Sequence, residues 1–448
     1  MDETLTQRKV DGTEPAFAPY LFLEIECERP LAAPAHHLLA ELECVQVGYF
    51  HSATRLFLYH RRMSRFAVLW FAMGSVSACV TAQSSALSTA RPLPPSAGPV
   101  SVSATRNPTG GEELGPRSYV CYKTTERITI DGNLTEPSWQ KARWTDLFVD
   151  IEGSRKPAPR LQTRVKLLWD DSYLYVATEL EEPDVSAILT ERDAVIFEDN
   201  DFEVFIDPDG DTHQYYELEL NALNTVWDLL LIKPYRDGGP AVNSWDIRGL
   251  KTAVQVQGTL NQPGDKDKGW TAELAFPWSA LKEYANRDSP PRAGDQWRMN
   301  FSRVEWKMEV KEGKYSKMVD PRTGKAYLED NWVWSPQGLI DMHYPEMWGF
   351  VQFSEKSVGT GDDSFVFHPE EKAKWALRQV YYKERQYWSK HGRYTSNITA
   401  LGLITQKVDG YVWPPSIRIT PSLYEVTIES RDGREQWHIS QDGRTWKK

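Results

Sequence analysis

The chain contains 448 residues, which is enough for one large domain with appendages or for about two or three domains. Its formal net charge of -11 argues against nucleic acid or an anionic membrane surface as the main partner, because both select for basic proteins. Its 18 tryptophans exceed ordinary usage, which is equally consistent with core packing and with rings that stack on sugars.

Residues 63–82 have the organisation of a secretory signal peptide. A basic segment ends at Arg65, a short apolar run begins at Phe66, and small residues follow it. The run is too short to remain in a bilayer as a stable anchor. Because a signal peptide belongs at the start of a chain, we expect translation to begin at Met63 and residues 1–62 to be a wrongly assigned upstream extension.

The end of this segment, VSAC at residues 76–79, resembles a bacterial lipobox, in which Cys79 is lipidated and becomes the first residue of the mature protein. Ordinary cleavage after Ala82 is the alternative. Residues 83–117 are rich in Ser, Pro, Thr, Ala and Gly, which predicts a disordered tether. We therefore expect an exported protein: a lipoprotein of the periplasm, outer membrane or cell surface that meets a membrane only through its lipid, or a secreted protein.

Residues 118–354 contain many short alternating segments that are separated by turn signals. Residues 164–169 and 173–180 form one predicted hairpin, and a further strand is expected at residues 128–130. A short helix is expected at residues 277–281. This spacing predicts a mainly β domain, either an antiparallel sandwich or a barrel.

Residues 197–221 predict a second hairpin, with an Asp-Gly turn at Asp209 and Gly210. Period-two alternation gives each arm one apolar face. The apolar positions are Phe202, Val204 and Ile206 in the first arm and Tyr216, Leu218 and Leu220 in the second. If both sets face the core, parity requires Glu203 to lie opposite Glu217 or Glu219.

The other face of this hairpin is acidic. It gathers Asp201, Glu203, Glu217 and Glu219, with Tyr215 and Phe205 among them. Like charges opposite one another destabilise a sheet. A face of this kind is therefore expected to meet a polyhydroxy ligand, a cation, or arginines from elsewhere in the fold.

The order of motifs through the middle half of the chain resembles the family 9 carbohydrate-binding module and its DOMON-like relatives. The matching pieces are IDG at 130–132, EPSW at 136–139, VKLLWDD at 165–171, LYVA at 174–177, residues 199–207, AFPW at 275–278, MNFSR at 299–303 and PEMWG at 345–349. The resemblance implies an antiparallel β-sandwich that binds sugars without cleaving them. It also implies association with enzymes that degrade polysaccharides, such as a glycoside hydrolase partner.

In this family, two tryptophans clamp a terminal sugar ring while charged side chains contact its hydroxyls. The resemblance places Phe197 at the first clamp position and Met342 or His343 at the second, and it assigns the sugar-contacting acid to Glu203. Glu217 replaces a basic residue. The implied sugar site is Phe197, Glu203, Glu217, Glu219, Tyr215 and His343. A replacement wall could come from Trp332, Trp334, Trp227 or Trp245.

Two other chemistries are open at this hairpin. Asp199, Asp201, Asp207 and Asp209 offer oxygens for calcium, although aspartates in a turn also bond their own backbone. Glu203 with Glu217 or Glu219 could form the carboxylate pair of a glycoside hydrolase. We expect a non-catalytic sugar-binding protein with no certain cofactor. The alternative is a structural or assembly protein that retains the sandwich without a sugar site.

Residues 366–448 predict a small α+β appendage. A helix is expected over residues 369–392, because Pro369 begins it and Gly392 follows its end. Short strands are expected at residues 416–420, 424–429 and 436–439. The aromatic stripe of the helix is expected to dock on the sandwich.

Overall fold

The computed structural model describes residues 115–287 and 290–448. The predicted extension, the signal peptide with Cys79, and all of the tether before residue 115 lie outside these residues. Within the described part of the chain, no helix combines the length and the apolar character needed to cross a lipid bilayer.

The described residues form nineteen strands and three α-helices. The first strands are β1 (Ser118–Lys123), β2 (Val149–Asp150), β3 (Thr163–Trp169), β4 (Tyr173–Glu181), β5 (Asp201–Asp207), β6 (Tyr215–Asn221), β7 (Val226–Leu231), β8 (Ala241–Val242), β9 (Lys251–Gln257) and β10 (Gly269–Pro277). The others are β11 (Gln296–Glu305), β12 (Met308–Lys311), β13 (Lys314–Lys317), β14 (Asp330–Val333), β15 (Gly349–Ser357), β16 (Ser416–Ile419), β17 (Tyr424–Glu429), β18 (Gln436–Ser440) and β19 (Thr445–Lys447). The helices are α1 (Pro137–Lys141), α2 (Trp278–Leu281) and α3 (Glu370–His391).

Thirteen of the described strands belong to one large sheet. Its main path is β8–β7–β6–β5–β11–β15–β1–β3–β4–β10–β9, and β14 adds to β11 and to β2. The pairs are antiparallel except that β1 runs parallel to β15 and to β3. These two pairs join strands that are distant in sequence, whereas a tight hairpin can join only antiparallel strands.

One hydrophobic cluster lies between the two halves of this sheet. It combines buried residues of β3, β4 and β10 with buried residues of β5, β6 and β11. Leu167 and Leu274 represent the first half, and Val204, Leu218 and Phe301 represent the second. Residues far apart along the path of the sheet thus share one core, which is consistent with the predicted mainly β sandwich.

The register of the β5–β6 hairpin is the one that parity predicts. Glu203 lies opposite Glu219, and Val204 lies opposite Leu218. The six predicted apolar residues of this hairpin all belong to the main core. The turn includes Gly210 at a φ of 64°, which is a conformation that glycine adopts without a steric penalty.

The prediction of a strand at residues 128–130 is wrong, because these residues form a loop. Ile128 is instead buried in a satellite cluster with Trp139 and Leu168 on the outside of the sheet. The backbone just after this segment bonds to a side chain: Asp131 N and Gly132 N donate to Glu273 Oε2, at 3.0 and 2.8 Å. Apolar alternation therefore marks a packed loop at this position. The strand that pairs with β3 and β15 in the sheet is β1.

The C-terminal appendage has its own core. Helix α3 ends before Gly392, whose φ is 64°, and it packs on the four-stranded sheet β16–β17–β18–β19 through a separate hydrophobic cluster. The last strand, β19, was not predicted. The helix contacts the sandwich through its aromatic side chains, because Tyr381 Oη donates to Asp237 Oδ1 at 2.6 Å and Tyr382 Oη donates to Glu346.

Candidate functional site

Strands β5 and β6 present a row of carboxylates on the side of the sheet that faces away from the main core. We call the four residues Asp201, Glu203, Glu217 and Glu219 the acidic face. The pairing of Glu203 with Glu219, and of Glu217 with Phe205, places their side chains on this side. The hairpin thus brings together the acids that the sequence predicted.

These carboxylates are buried without a cationic partner. Asp201 is 0% exposed, Glu219 2%, and Glu203 and Glu217 6% each. No lysine or arginine in the described ranges forms an ion pair with any of the four. Arg303, on the adjacent strand β11, instead binds Glu182 and Glu305, both at 2.7 Å. The structure therefore removes arginine as the partner of this face, which leaves a ligand or a cation.

Burial and mutual repulsion raise the pKa values of all four groups. Burial raises the pKa of Glu203 to about 7, against an opposing hydrogen bond from Ser302. Burial and then the Glu203 charge raise the pKa values of Asp201 and Glu217. A group with a pKa near 7 exchanges its proton at neutral pH, so Glu203 can both donate and accept hydrogen bonds there.

Three polar atoms on this side of the sheet have no hydrogen-bond partner among the described residues. They are Asp201 Oδ2, Glu217 Oε2 and Trp227 Nε1. A buried polar atom that lacks a partner costs about 1–3 kcal/mol. Because Trp227 lies opposite Glu219 on the neighbouring strand β7, donor and acceptors belong to one surface. This surface can therefore gain free energy from a ligand that carries both kinds of group.

Two aromatic rings lie side by side next to the acidic face. The ring centroids of half-buried Phe197 and Trp227 are 6.5 Å apart, with a 35° angle between the planes. Aromatic rings in direct contact are about 4.5–7 Å apart, so no sugar ring fits between these two. They form one platform rather than the two walls of a clamp.

The structure distinguishes among the four tryptophans that could replace the missing clamp wall. Trp332 and Trp334 are buried in the main core, at 3% and 1% exposed. Trp245 stacks on the core residue Tyr216 with centroids 4.9 Å apart. Trp227 is the one that reaches the acidic face. Extending the alternation of the hairpin by one more strand would have identified it.

Phe197 is held in place through its backbone. Its N–H donates to Glu219 Oε2 at 2.9 Å, and its carbonyl accepts a bond from Trp306 Nε1 at 2.8 Å. The Trp306 ring is in turn covered by Lys317 Nζ, 3.3 Å from its centroid. These contacts make Trp306 the support of the aromatic platform.

Tyr215 was predicted to contact sugar, and the structure corrects this assignment. Tyr215 is 0% exposed and packs edge-on against Trp348, with centroids 5.1 Å apart. Its hydroxyl bonds to His343 Nδ1 at 2.9 Å. Because the ring is covered and the hydroxyl already has a partner, Tyr215 supports the floor and cannot stack on a ligand.

His343 is half-buried and lies between Tyr215 and Tyr235. Burial, and then the Arg236 charge, lower the pKa of His343 to about 3, so the ring is neutral at ordinary pH. Tyr235 is 44% exposed. Burial, and then Glu217 and Glu219, raise the pKa of Tyr235. Nothing in the local sequence pattern points to Tyr235.

The predicted calcium residues have different surroundings. Asp207 accepts bonds from Gly210 N at 3.0 Å and Thr212 N at 2.9 Å, as an aspartate-rich turn does. Asp209 Oδ1 accepts one hydrogen bond from Asp211 N, two residues later in the turn, at 3.2 Å. Asp199 Oδ2 accepts three bonds, from Ile188 N, Leu189 N and Asn221 Nδ2. Of the predicted set, Asp201 is the one on the acidic face.

A cavity of about 480 Å³ lies elsewhere, at the junction of the sandwich and the appendage. Its charged lining residues are largely paired: Glu371 contacts Arg298 at 3.1 Å and Lys374 at 2.9 Å. Arg444 contacts the turn residue Asp211 at 2.8 Å. The acidic face, whose charges lack such partners, is therefore the stronger candidate site.

Comparisons with known proteins support the resemblance seen in the sequence. Residues 130–294 match the profile of a family described as carbohydrate family 9 binding domain-like. This segment includes β3 to β10 and all four residues of the acidic face. The resemblance to the family 9 carbohydrate-binding module is thus confirmed for this part of the chain. None of the curated proteins compared with the chain matches it.

Three solved structures align with about half of this chain. A protein from Bacteroides uniformis, described as a candidate carbohydrate-binding protein, gives a TM-score of 0.39 at 17% identity and covers 54% of this chain and 100% of that chain. A family 9 carbohydrate-binding module from Caldicellulosiruptor kristjanssonii in complex with cellotriose gives 0.34 at 14% identity and covers 55% and 99%. A family 9 module from the same organism in complex with glucose gives 0.34 at 14% identity and covers 55% and 100%.

Proposed function

We propose that the acidic face binds a neutral oligo- or polysaccharide without cleaving it, and that the exported protein thereby supports polysaccharide degradation. The observation that carries this proposal is a surface of buried carboxyls with no protein cation beside a half-exposed aromatic platform. A sugar carries groups that suit both parts of this surface. Its hydroxyls donate and accept hydrogen bonds, and its apolar face of C–H bonds can stack on the aromatic rings. The match of residues 130–294 to a carbohydrate-binding family supports the same conclusion.

In the proposed complex, Phe197 and Trp227 stack on one face of a sugar ring. Glu203 and Glu217 accept hydrogen bonds from its hydroxyls, and Trp227 Nε1 donates to a sugar oxygen. Each such bond contributes about 1 kcal/mol net. With a single platform instead of a clamp, the affinity is modest. The like charge of the face disfavours uronic acids, so neutral sugars are the proposed class.

Affinity electrophoresis in gels that contain soluble neutral polysaccharides tests this proposal. The wild-type protein should be retarded on at least one of them, and Trp227→Ala and Glu203→Ala should each lose about tenfold or more in affinity. Glu179→Ala is the matched control, because Glu179 pairs with Arg164 at 2.6 Å elsewhere on the sheet surface. Equal retardation of all variants would contradict the site.

A reducing-end assay on the same polysaccharides separates binding from hydrolysis. The non-catalytic proposal expects no release of reducing ends by the wild-type protein. Release that disappears in Glu203→Ala would instead identify a glycoside hydrolase. If no carbohydrate is retained at all, the structural or assembly role becomes the better account, and the absence of a tryptophan at the second clamp position, Met342 or His343, favours that role.

Export as a lipoprotein is proposed from the sequence of residues 63–82. Cell fractionation should find the protein in the membrane fraction, and Cys79→Ala should move it to the soluble exported fraction. Mass spectrometry of the mature protein should then find Cys79 as its lipidated first residue. A mature peptide from before Met63 would overturn both the start site and the signal peptide.

A further inference from the structure

Three carboxylates of the acidic face converge on one point. Asp201, Glu203 and Glu219 each offer one oxygen, and these oxygens all lie within 4.8 Å of one another. Three oxygens spaced evenly around a calcium ion at about 2.4 Å lie about 4.2 Å from one another, so small side-chain adjustments bring this group onto one ion. The three side chains are therefore already close enough to share one ion without a rearrangement of the backbone.

A second observation concerns Asp201. This residue is 0% exposed, and its Oδ1 accepts a hydrogen bond from Val304 N at 3.0 Å. Its other oxygen, Oδ2, has no partner among the described residues. A fully buried carboxylate oxygen that lacks a donor and lies in a group of acids requires either a proton or a cation.

The other two groups of three carboxylates in the described ranges differ on this point. Asp193, Asp228 and Asp246 surround Arg192, which contacts Asp246 at 2.8 Å and also binds Asp228. The turn group of Asp207, Asp209 and Asp211 bonds to backbone N–H groups and to Arg444.

Each of those two groups thus has an arginine as a partner. The group on the acidic face is the one of the three that has no protein cation. Its donor set consists of carboxylate oxygens, without histidine or cysteine. Such donors suit the hard divalent cations calcium, magnesium and manganese, and calcium tolerates the irregular geometry of a sheet surface best.

We propose that Asp201, Glu203 and Glu219 bind one hard divalent cation, calcium in the first instance, at the floor of the acidic face. Water fills the remaining coordination positions. In a last step, which rests on the proposed function, sugar hydroxyls replace these waters. Glu217, which is outside the group of three, remains free to bond a hydroxyl directly.

Isothermal titration of the full chain with calcium chloride, after removal of metal by a chelator, tests the site without any sugar. We expect about one equivalent to bind, with an affinity that falls more than about tenfold in Asp201→Asn and in Glu219→Gln. Asp246→Asn is the matched control, since it alters an acid group that already has Arg192, and it should bind calcium like the wild type. Absence of binding by the wild type, or unchanged binding by both variants, overturns the proposal.

Thermal unfolding of the wild-type protein keeps the test valid if a variant fails to fold. Calcium should raise the midpoint and a chelator should reverse the rise, because a ligand that binds only the folded state stabilises it. Gel retardation with and without calcium then tests the last step. Calcium binding without any sugar retention leaves the ion site standing and rejects the proposed function. Sugar retention that ignores calcium and chelator alike rejects the bridging step.

Discussion

The surroundings of a buried glutamate decide its charge state in this protein. Glu203 and Glu346 are each 6% exposed, yet their pKa values move in opposite directions. Burial raises the pKa of Glu203 to about 7, and no arginine opposes it. Burial also disfavours ionisation of Glu346, but the Arg236 guanidinium at 2.8 Å outweighs it and lowers the pKa to about 2. A buried acid that has no cationic partner is therefore the feature that marks a binding surface here.

Close packing against a tryptophan makes Gly349 intolerant of a larger side chain. A Cβ added at Gly349 would lie 2.3 Å from the ring of Trp334, which is 1% exposed and cannot move away. We expect Gly349→Ala to lower the free energy of unfolding by about 1–3 kcal/mol. Urea denaturation followed by tryptophan fluorescence measures the change.

Gly115→Ala provides the control for this substitution, because a Cβ there would meet no atom within 4 Å. The control should leave the midpoint of the urea transition almost unchanged. Equal stability of Gly349→Ala and the wild type would show that the Trp334 ring can shift.

At the candidate site, the sequence predicted the pairing of residues within one hairpin. It did not predict burial that arises from contacts with residues distant in sequence. Parity alone placed Glu203 opposite a glutamate of β6, and Glu219 is that residue. The same alternation put Tyr215 on the acidic side, which is correct. Its complete burial comes from Trp348, more than 130 residues later, and no local pattern encodes that contact.

Among the secondary-structure elements, those with long and regular alternation were predictable. The hairpin of β3 and β4 and helix α3 lie within one or two residues of their predicted bounds. Short strands such as β14 and β19 were missed, because three or four residues carry too little periodicity. The strand expected at residues 128–130 failed for a different reason: its apolar residues pack onto the outside of the sheet, and Glu273 bonds the backbone that follows.

The contact between helix α3 and the sandwich should depend on pH through Glu346. This carboxylate binds Arg236 from the sandwich and accepts a bond from Tyr382 of the helix. Its folded pKa of about 2 is below its ordinary value of 4.5. Its ionised form therefore contributes stability in full above about pH 4.5, and this contribution is lost as the pH falls toward 2. The contribution is about 3 kcal/mol.

Urea denaturation at several pH values between 2 and 7 measures this dependence. We expect the wild-type protein to lose stability below pH 4.5 more steeply than Glu346→Gln, which has no charge to titrate. The variant should be less stable at pH 7, because the buried Arg236 then loses the carboxylate that accepts two of its hydrogen bonds. Parallel curves for the two proteins would show that Glu346 does not control the acid transition.

At the scale of the whole molecule, two hydrophobic cores are joined by a polar contact surface. The main core and the appendage core share no residue. Between them, Asp237 of the sandwich binds Tyr381 at 2.6 Å and Arg385 at 2.8 Å. Asp211 binds Arg444 from the other end of the appendage at 2.8 Å. Since buried charged groups are costly to expose singly, this surface should couple the unfolding of the two cores.

Differential scanning calorimetry of the protein tests this coupling. We expect one transition for the wild type and a lower, broadened or split transition for Asp237→Ala. The substitution removes the carboxylate that Tyr381 and Arg385 share, and each hydrogen bond to a charged group contributes about 1.5–3 kcal/mol. The side chain of Asp237 is 1% exposed, whereas that of Asp409, which pairs with Lys372, is 88% exposed. Asp409→Ala should therefore leave the transition unchanged, and a wild type that already unfolds in two separate steps would show that the cores are independent.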